Sequence, residues 1–230
     1  ATGEVSALSF PGLTGQLNLQ IVDDFSRMDL NCLIAGTLLG GGNDGYSGNP
    51  DGEGDGGGDT SRSNYFWLDA FATLFVEKSF FDESYEENEH RTPGNQAYEA
   101  YNQVAQIVDF IDGNYESFND PGFQGRGSEQ GEDDPLYFNR SLYSLREAAF
   151  IPGMTLERMS RIGPYVKVAN YPCVPNNSRI NANTASIEVL TATGMSAQTA
   201  QDIIDNRPLT QTQLTDIIKV EQDATGSNSL

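Results

Sequence analysis

Arg179-Ile-Asn-Ala-Asn-Thr-Ala-Ser-Ile-Glu-Val-Leu190, continued through Thr193-Gly194-Met195-Ser196 to Arg207, decides how the rest of the chain reads. It begins as a short extended piece and turns into a helix. Asn183 or Thr184 can cap that helix, and Ile187, Val189 and Leu190 give it apolar contact. Gly194 breaks it. A second helix follows, with Ser196 as its cap and Ala200, Ile203 and Ile204 on one face. Asn206-Arg207-Pro208 ends that helix, because proline disfavours the helical region for its predecessor. The outline is a helical hairpin closed by a glycine turn.

The same outline occurs 41 positions earlier. Leu145-Arg-Glu-Ala-Ala-Phe-Ile-Pro-Gly153-Met154-Thr155 reads as a helix ending in Gly-Met-Thr, and Leu156 to Ile162 restart as a helix capped by Thr155. Glu147 and Glu188 hold the same offset in the two units. This pattern predicts an internal duplication, two helical hairpins of the SAM-like kind. Pro164-Tyr-Val-Lys-Val168 between them reads as a short strand, and residues 209–220 as a last helix before a polar tail, 221–230.

Two longer helices precede the hairpins. Residues 64–81 place Phe66, Trp67, Ala70, Phe71, Leu74 and Phe75 on a broad apolar face, with Asn64 as a cap. Residues 96–112 keep Tyr101, Val104, Ala105, Val108 and Ile111 at the three-to-four spacing of one buried stripe. At the start of the chain, Leu17, Leu19 and Ile21 alternate with polar residues, as a half-buried strand does. The organisation expected is a strand region with a Gly/Asp-rich loop over 1–62, a helical domain over 63–220 and the tail.

The charge narrows the function. Thirteen Lys and Arg stand against 33 Asp and Glu, for a net charge of −20. Nucleic-acid binders draw most of their affinity from phosphate neutralisation, and no Lys/Arg cluster is present to supply it. Such a surface attracts divalent cations or basic partners instead. A single histidine, His90, in an acidic surface stretch, removes His-based triads and multi-His metal sites. No acidic pair is marked out for glycoside hydrolysis, and no catalytic residue is assigned. No apolar run approaches the ~20 residues that span a bilayer. No signal peptide is visible at Ala1, as expected of a processed or trimmed chain. Cys32 and Cys173 suggest one disulfide in an exported protein; two buried thiols are the alternative.

Two acidic segments are candidates for metal. In residues 40–59, half of them glycine, Asp51, Glu53, Asp55, Gly56 and Asp59 are spaced as in a calcium loop, but Arg62 stands where the bidentate glutamate belongs. A flexible linker is the better reading there. Residues 113–139 form a loop long enough to be functional or disordered. Asp112 and Asn114 sit one residue apart at a helix end, and Glu129, Asp133 and Asp134 can fold back onto them. Calcium takes six to eight oxygens, which carboxylates and loop carbonyls can supply. A merely solvated acidic loop is the alternative.

Four motifs, in order, resemble the K-type minor pseudopilins of bacterial type II secretion. Arg27, Leu30, Asn31 and Leu33 stand in the matching places of that family's D-E-x-G-R-x-N-L-N-x-L, with Asp24 for its glutamate, Ser26 for its glycine and Asp29 for its first asparagine. Asp109-Phe-Ile-Asp112 resembles D-W-x-D. Gly127-Ser-Glu129 with Tyr137 and Asn139 resembles G-A-E and the tyrosine and asparagine after it. Ile180-Asn-Ala-Asn-Thr-Ala185 resembles I-N-x-N-T-A. The resemblance implies an α+β chain: a small antiparallel pilin-like sheet carrying a large inserted helical domain. It implies calcium in the acidic loops, and assembly with I-type and J-type minor pseudopilins at the tip of a periplasmic pseudopilus. Secreted substrates or the outer-membrane secretin are further partners. It also implies an inner-membrane anchor in a prepilin helix that this sequence does not contain. Helix-hairpin-helix DNA-binding proteins of the competence-receptor type share I-N-x-N-T-A but follow it with G-I-G. Here the turn is Gly194-Met195-Ser196, which lacks the second glycine.

Overall fold

The computed structural model describes residues 22–34, 66–78, 93–169 and 180–225. The expected strand at 17–21, the Gly/Asp-rich loop with Asp51, Glu53 and Asp55, the cap Asn64, and His90, Cys173 and Arg179 lie outside them.

Two helices form the centre. Helix α1, Phe66–Glu77, and helix α2, Pro93–Ile111, pack along one another. Leu68, Phe71, Leu74 and Phe75 of α1 meet Val104, Ile107, Val108 and Ile111 of α2, all essentially without solvent access. The Phe71 and Phe75 rings meet edge to face at 6.2 Å. Each such side chain contributes about 1.5–3 kcal/mol of burial, so this seam is the main source of hydrophobic stabilisation among the described residues. Helix α2 starts at Pro93, earlier than the apolar stripe alone suggests, since proline suits a first helical turn.

The first hairpin unit departs from expectation. Leu145–Phe150 winds as a 3₁₀ helix, and only helix α3, Leu156–Ile162, is α-helical. In the second unit both limbs are α-helical: α4, Ile187–Ala192, and α5, Ala197–Asp205. Thr155 and Ser196 cap α3 and α5 as expected, their side chains accepting from Arg158 N and Thr199 N. The turn glycines share a left-handed backbone, φ +79° at Gly153 and +92° at Gly194, the conformation that favours glycine. The two turns therefore correspond, although Glu147 pairs with Arg140 and Glu188 with Lys78. Helix α6, Gln211–Thr225, runs past the expected end at 220 and packs on α5.

The cap of α4 is Ser186, not Asn183 or Thr184. Those two side chains are committed elsewhere. Thr184 Oγ1 donates to Asp23 at 2.6 Å and Asn181 Nδ2 to the same carboxylate at 2.7 Å. Asn183 exchanges two hydrogen bonds with the Leu209 backbone, at 3.0 and 2.6 Å. Arg207 donates to the carbonyls of Ala182 and Ala185. The Asn-Ala-Asn-Thr run is thus a latch joining the start of the described chain to the second hairpin.

A second tie runs through Asn31. It donates to the carbonyls of Leu142 and Ala169 and accepts from Leu142 N. It sits beside strand β1, Met28–Asp29, which pairs in parallel with β2, Val166–Lys167. The architecture is α+β, mostly helical with this small two-stranded sheet. The pairing is parallel, not the antiparallel arrangement expected of the sheet, and the long connection between the two strands permits it; the strand expected at 17–21 lies outside the described residues.

Candidate calcium site

The C-terminal end of α2 delivers two aspartates one helical turn apart, and they do different work. Asp109 is fully buried. Its carboxylate accepts from the backbone N–H groups of Phe118, Ser128 and Glu129 at 2.6, 2.7 and 3.1 Å. The loop after α2 is wound around this one side chain. A Cβ on Gly127 would run into the Asp109 carboxylate, so only glycine lets the loop come this close. Burial pushes the Asp109 carboxyl up, and the three backbone donors, with the Ser117 side chain, oppose that.

Asp112 faces the other way along the loop. Its Oδ2 accepts from Asn114 Nδ2 at 2.9 Å, while its Oδ1 is buried without a partner. Glu129 follows directly from the segment that Asp109 holds. Its Oε1 accepts from Asn139 Nδ2 at 2.7 Å, and its Oε2 is buried without a partner. Asn139, at φ +50°, has a buried Oδ1 that is also unpartnered. Tyr137 anchors the return of the loop through a 2.6 Å hydrogen bond between its hydroxyl and that of Ser128.

Three side-chain oxygens are therefore withdrawn from water with nothing to bond. Each costs about 1–3 kcal/mol in that state, more for a charge. The cost shows in Asp112, whose carboxyl is pushed up to about 7 by burial first, then by the charges of Asp109 and Glu129. Burial likewise raises Glu129. Two carboxylates and an amide oxygen are hard donors of the kind calcium takes, so these residues fit that ion. No group of three or more His, Cys, Asp or Glu among the described residues is arranged to hold a metal. Here the third donor is an amide, outside that set.

Of the five residues expected from sequence, Asp112 and Glu129 are brought together, and Asn114 braces Asp112. Asn114 Oδ1 is itself engaged, accepting from Glu116 N at 2.6 Å. Asp134 spends its carboxylate on the turn, accepting from Gln130 N and Leu136 N, and Asp133 is exposed. Asp109 and Asn139 were not among the five. Both stand in motifs visible in the sequence, Asp-Phe-Ile-Asp and Tyr-Phe-Asn, but nothing local marks one as a loop anchor and the other as an oxygen donor. Cys32 is buried, and no free cysteine occurs among the described residues. Cys173 lies outside them.

No family model matches the sequence, and no curated protein matches it. A solved structure does: a chain in the crystal structure of the GspK-GspI-GspJ complex from the enterotoxigenic Escherichia coli type 2 secretion system. The match has a TM-score of 0.50 at 18% identity and covers 96% of this chain and 68% of that one. The chain has a GspK-like fold. At this identity the likeness speaks of fold, and the GspK-like architecture is the α+β arrangement expected from the motifs. Among the described residues no helix is long and apolar enough to cross a membrane.

Three basic residues near the hairpin turns are engaged within the chain. Arg158 donates to the Gly153 carbonyl at 2.6 Å, Arg161 pairs with Glu157 at 2.7 Å, and Lys167 pairs with Asp24 at 3.4 Å. Each lies beside acid or backbone oxygen, which leaves little positive charge for a phosphate backbone.

Proposed function

We propose that this chain is a minor pseudopilin of a type II secretion system, placed at the tip of a periplasmic pseudopilus and joined there to I-type and J-type partners. The observation that carries the reading is the GspK-like fold over nearly the whole chain. The solved neighbour is itself seen in a complex with GspI and GspJ. The work is binding and nucleation of assembly, with no chemistry assigned to any residue. Co-expression with the I-type and J-type proteins from the same source, followed by co-purification and sizing, tests it. A stoichiometric complex is expected. Three separate proteins at micromolar concentration would overturn the reading.

Calcium belongs to the same proposal as a structural ion. Asp112, Glu129 and Asn139 would hold it, Asn114 would orient Asp112, and Asp109 would hold the loop that presents Glu129. The ion supplies positive charge to two buried carboxylates that otherwise repel. The Cys32–Cys173 disulfide completes the proposal, a cross-link suited to an oxidising compartment. Closing so long a loop contributes about 2–4 kcal/mol. Intact mass before and after reduction should differ by two hydrogens.

A further inference from the structure

Asn139 belongs both to the acidic site and to a series of ties that leads out of it. Its Nδ2 donates to Glu129 at 2.7 Å, and its Oδ1 is one of the buried oxygens left without a partner. Its backbone stands at φ +50°, a left-handed conformation that asparagine tolerates better than most residues.

The residues after it are held one by one. Arg140 donates to Glu147 and to the Ser141 carbonyl, both at 3.0 Å. Leu142 is buried and exchanges two hydrogen bonds with the Asn31 side chain, at 2.9 and 3.0 Å. Tyr143 N donates to Glu147 at 3.2 Å. Asn31, itself buried, donates also to the Ala169 carbonyl at 3.2 Å. Asp29 of β1 accepts from the backbone N–H groups of Asn31 and Ala169. These bonds connect the acidic loop to the small sheet, and only Arg140 and Ser141 separate Asn139 from Leu142. Three steps of chain reach at most about 11 Å, so a change of backbone conformation at Asn139 has little slack in which to be absorbed before Leu142.

We infer that occupancy of the acidic site sets the grip of the Asn31 side chain on Leu142, with Asn139 as the switch between them; this rests on the calcium reading above. Coupling needs an element with two arrangements that both sites bias, and Asn139 is that element. Without an ion, its Oδ1 gains by turning to water, because a buried oxygen without a partner is costly. The Asp112 and Glu129 carboxylates gain by separating, being like charges in one site. With an ion, all three oxygens gain by staying, and Asn139 keeps its left-handed backbone. A ligand shifts such an equilibrium only as far as it prefers one arrangement. The effect is also reciprocal, so the Asn31 tie must act on calcium affinity as calcium acts on the tie.

The test follows amide exchange in the full chain, in calcium and in chelator, with calorimetry to report binding. The Leu142 N–H, bonded to Asn31, is compared with the Ala200 N–H, bonded to the Ser196 carbonyl at the start of α5. Stabilisation of the whole fold slows both alike. The inference requires an excess slowing at Leu142, of roughly tenfold. Asn139→Gly keeps the positive φ without strain and removes the amide, so it should abolish that excess. Asn31→Ser should weaken calcium binding by roughly fivefold or more, whereas Thr184→Val, in the latch, should leave it unchanged. If Asn31→Ser does not fold, exchange in the parent chain still decides. Calcium bound with equal slowing at Leu142 and Ala200 overturns the inference and leaves the ion site standing, as does an excess that persists in Asn139→Gly. No calcium bound by the parent overturns both.

Discussion

Two polar clusters among the described residues, one half-buried and one deeper, are finished to different degrees. Around Asp23, Asn181, Asn183 and Thr184, each of the four side chains is bonded within the chain. Around Asp112, Glu129 and Asn139, three oxygens are buried and unbonded. Both regions are rich in Asp and Asn. The first is complete as a latch. The second is complete only when something supplies positive charge. A buried polar group is costly until it is satisfied, and that difference separates a structural cluster from a binding one.

The largest effect should come from the residue that joins both behaviours. Asp109→Ala would strand three backbone N–H groups and release the loop. A loss of about 3–5 kcal/mol is expected, read as a drop of roughly 6–20 °C in Tm for a chain of this size. Gly127→Ala should act similarly through its clash with the same carboxylate. If Asp109→Ala melts like the parent, the loop is not organised around it.

Calcium should come next. At a hundredfold excess over Kd, a ligand of the native state stabilises by about 2.7 kcal/mol, or roughly 5–10 °C here. The gain should vanish in chelator, in Asp112→Asn and in Glu129→Gln. Equal melting in calcium and chelator would leave the three oxygens without a ligand and remove the contrast between the clusters.

The pH dependence should then separate the two states. In chelator, the native Asp112 carboxyl sits at about 7, above its ordinary value. The folded chain therefore holds that proton more tightly than the unfolded chain does. The associated stability is present below about pH 4 and is lost as pH rises through about 7. In saturating calcium the ion favours the charged carboxylate, and this loss should disappear. Asp112→Asn in chelator should also lack it. Calcium affinity should fall as pH drops below about 7, because a proton then competes for Asp112.

The sequence exposed the local part of this design and hid the distant part. Thr155 and Ser196 were legible as caps because a cap bonds three residues ahead. Asn183 and Thr184 look like caps by the same rule, yet Thr184 serves Asp23, 161 positions away. The β1–β2 pairing was equally invisible, since two-residue strands have no period to read. In the candidate site, Asp112 and Glu129 were legible as acidic loop residues. Asp109 was not distinguishable from them, because its partners are backbone donors placed by the path of the loop. Asp134 was overvalued for the matching reason: its carboxylate is consumed by its own turn.

The smallest effect should come from the finished cluster, and it should carry the opposite pH signature. The Thr184 hydroxyl is the main influence holding the Asp23 carboxyl below its ordinary range, against some desolvation. The stability linked to that bond is present above the ordinary carboxylate pKa and is lost as pH falls through the lowered native one. Thr184→Val should cost about 1 kcal/mol near neutral pH. The gap between variant and parent should close in acid, once Asp23 is protonated in both. It should be the same in calcium and in chelator, because the latch has no open oxygen for an ion to fill. A Thr184→Val cost that changes with calcium would mean that the two clusters communicate, and that the latch reports on the loop rather than standing apart from it.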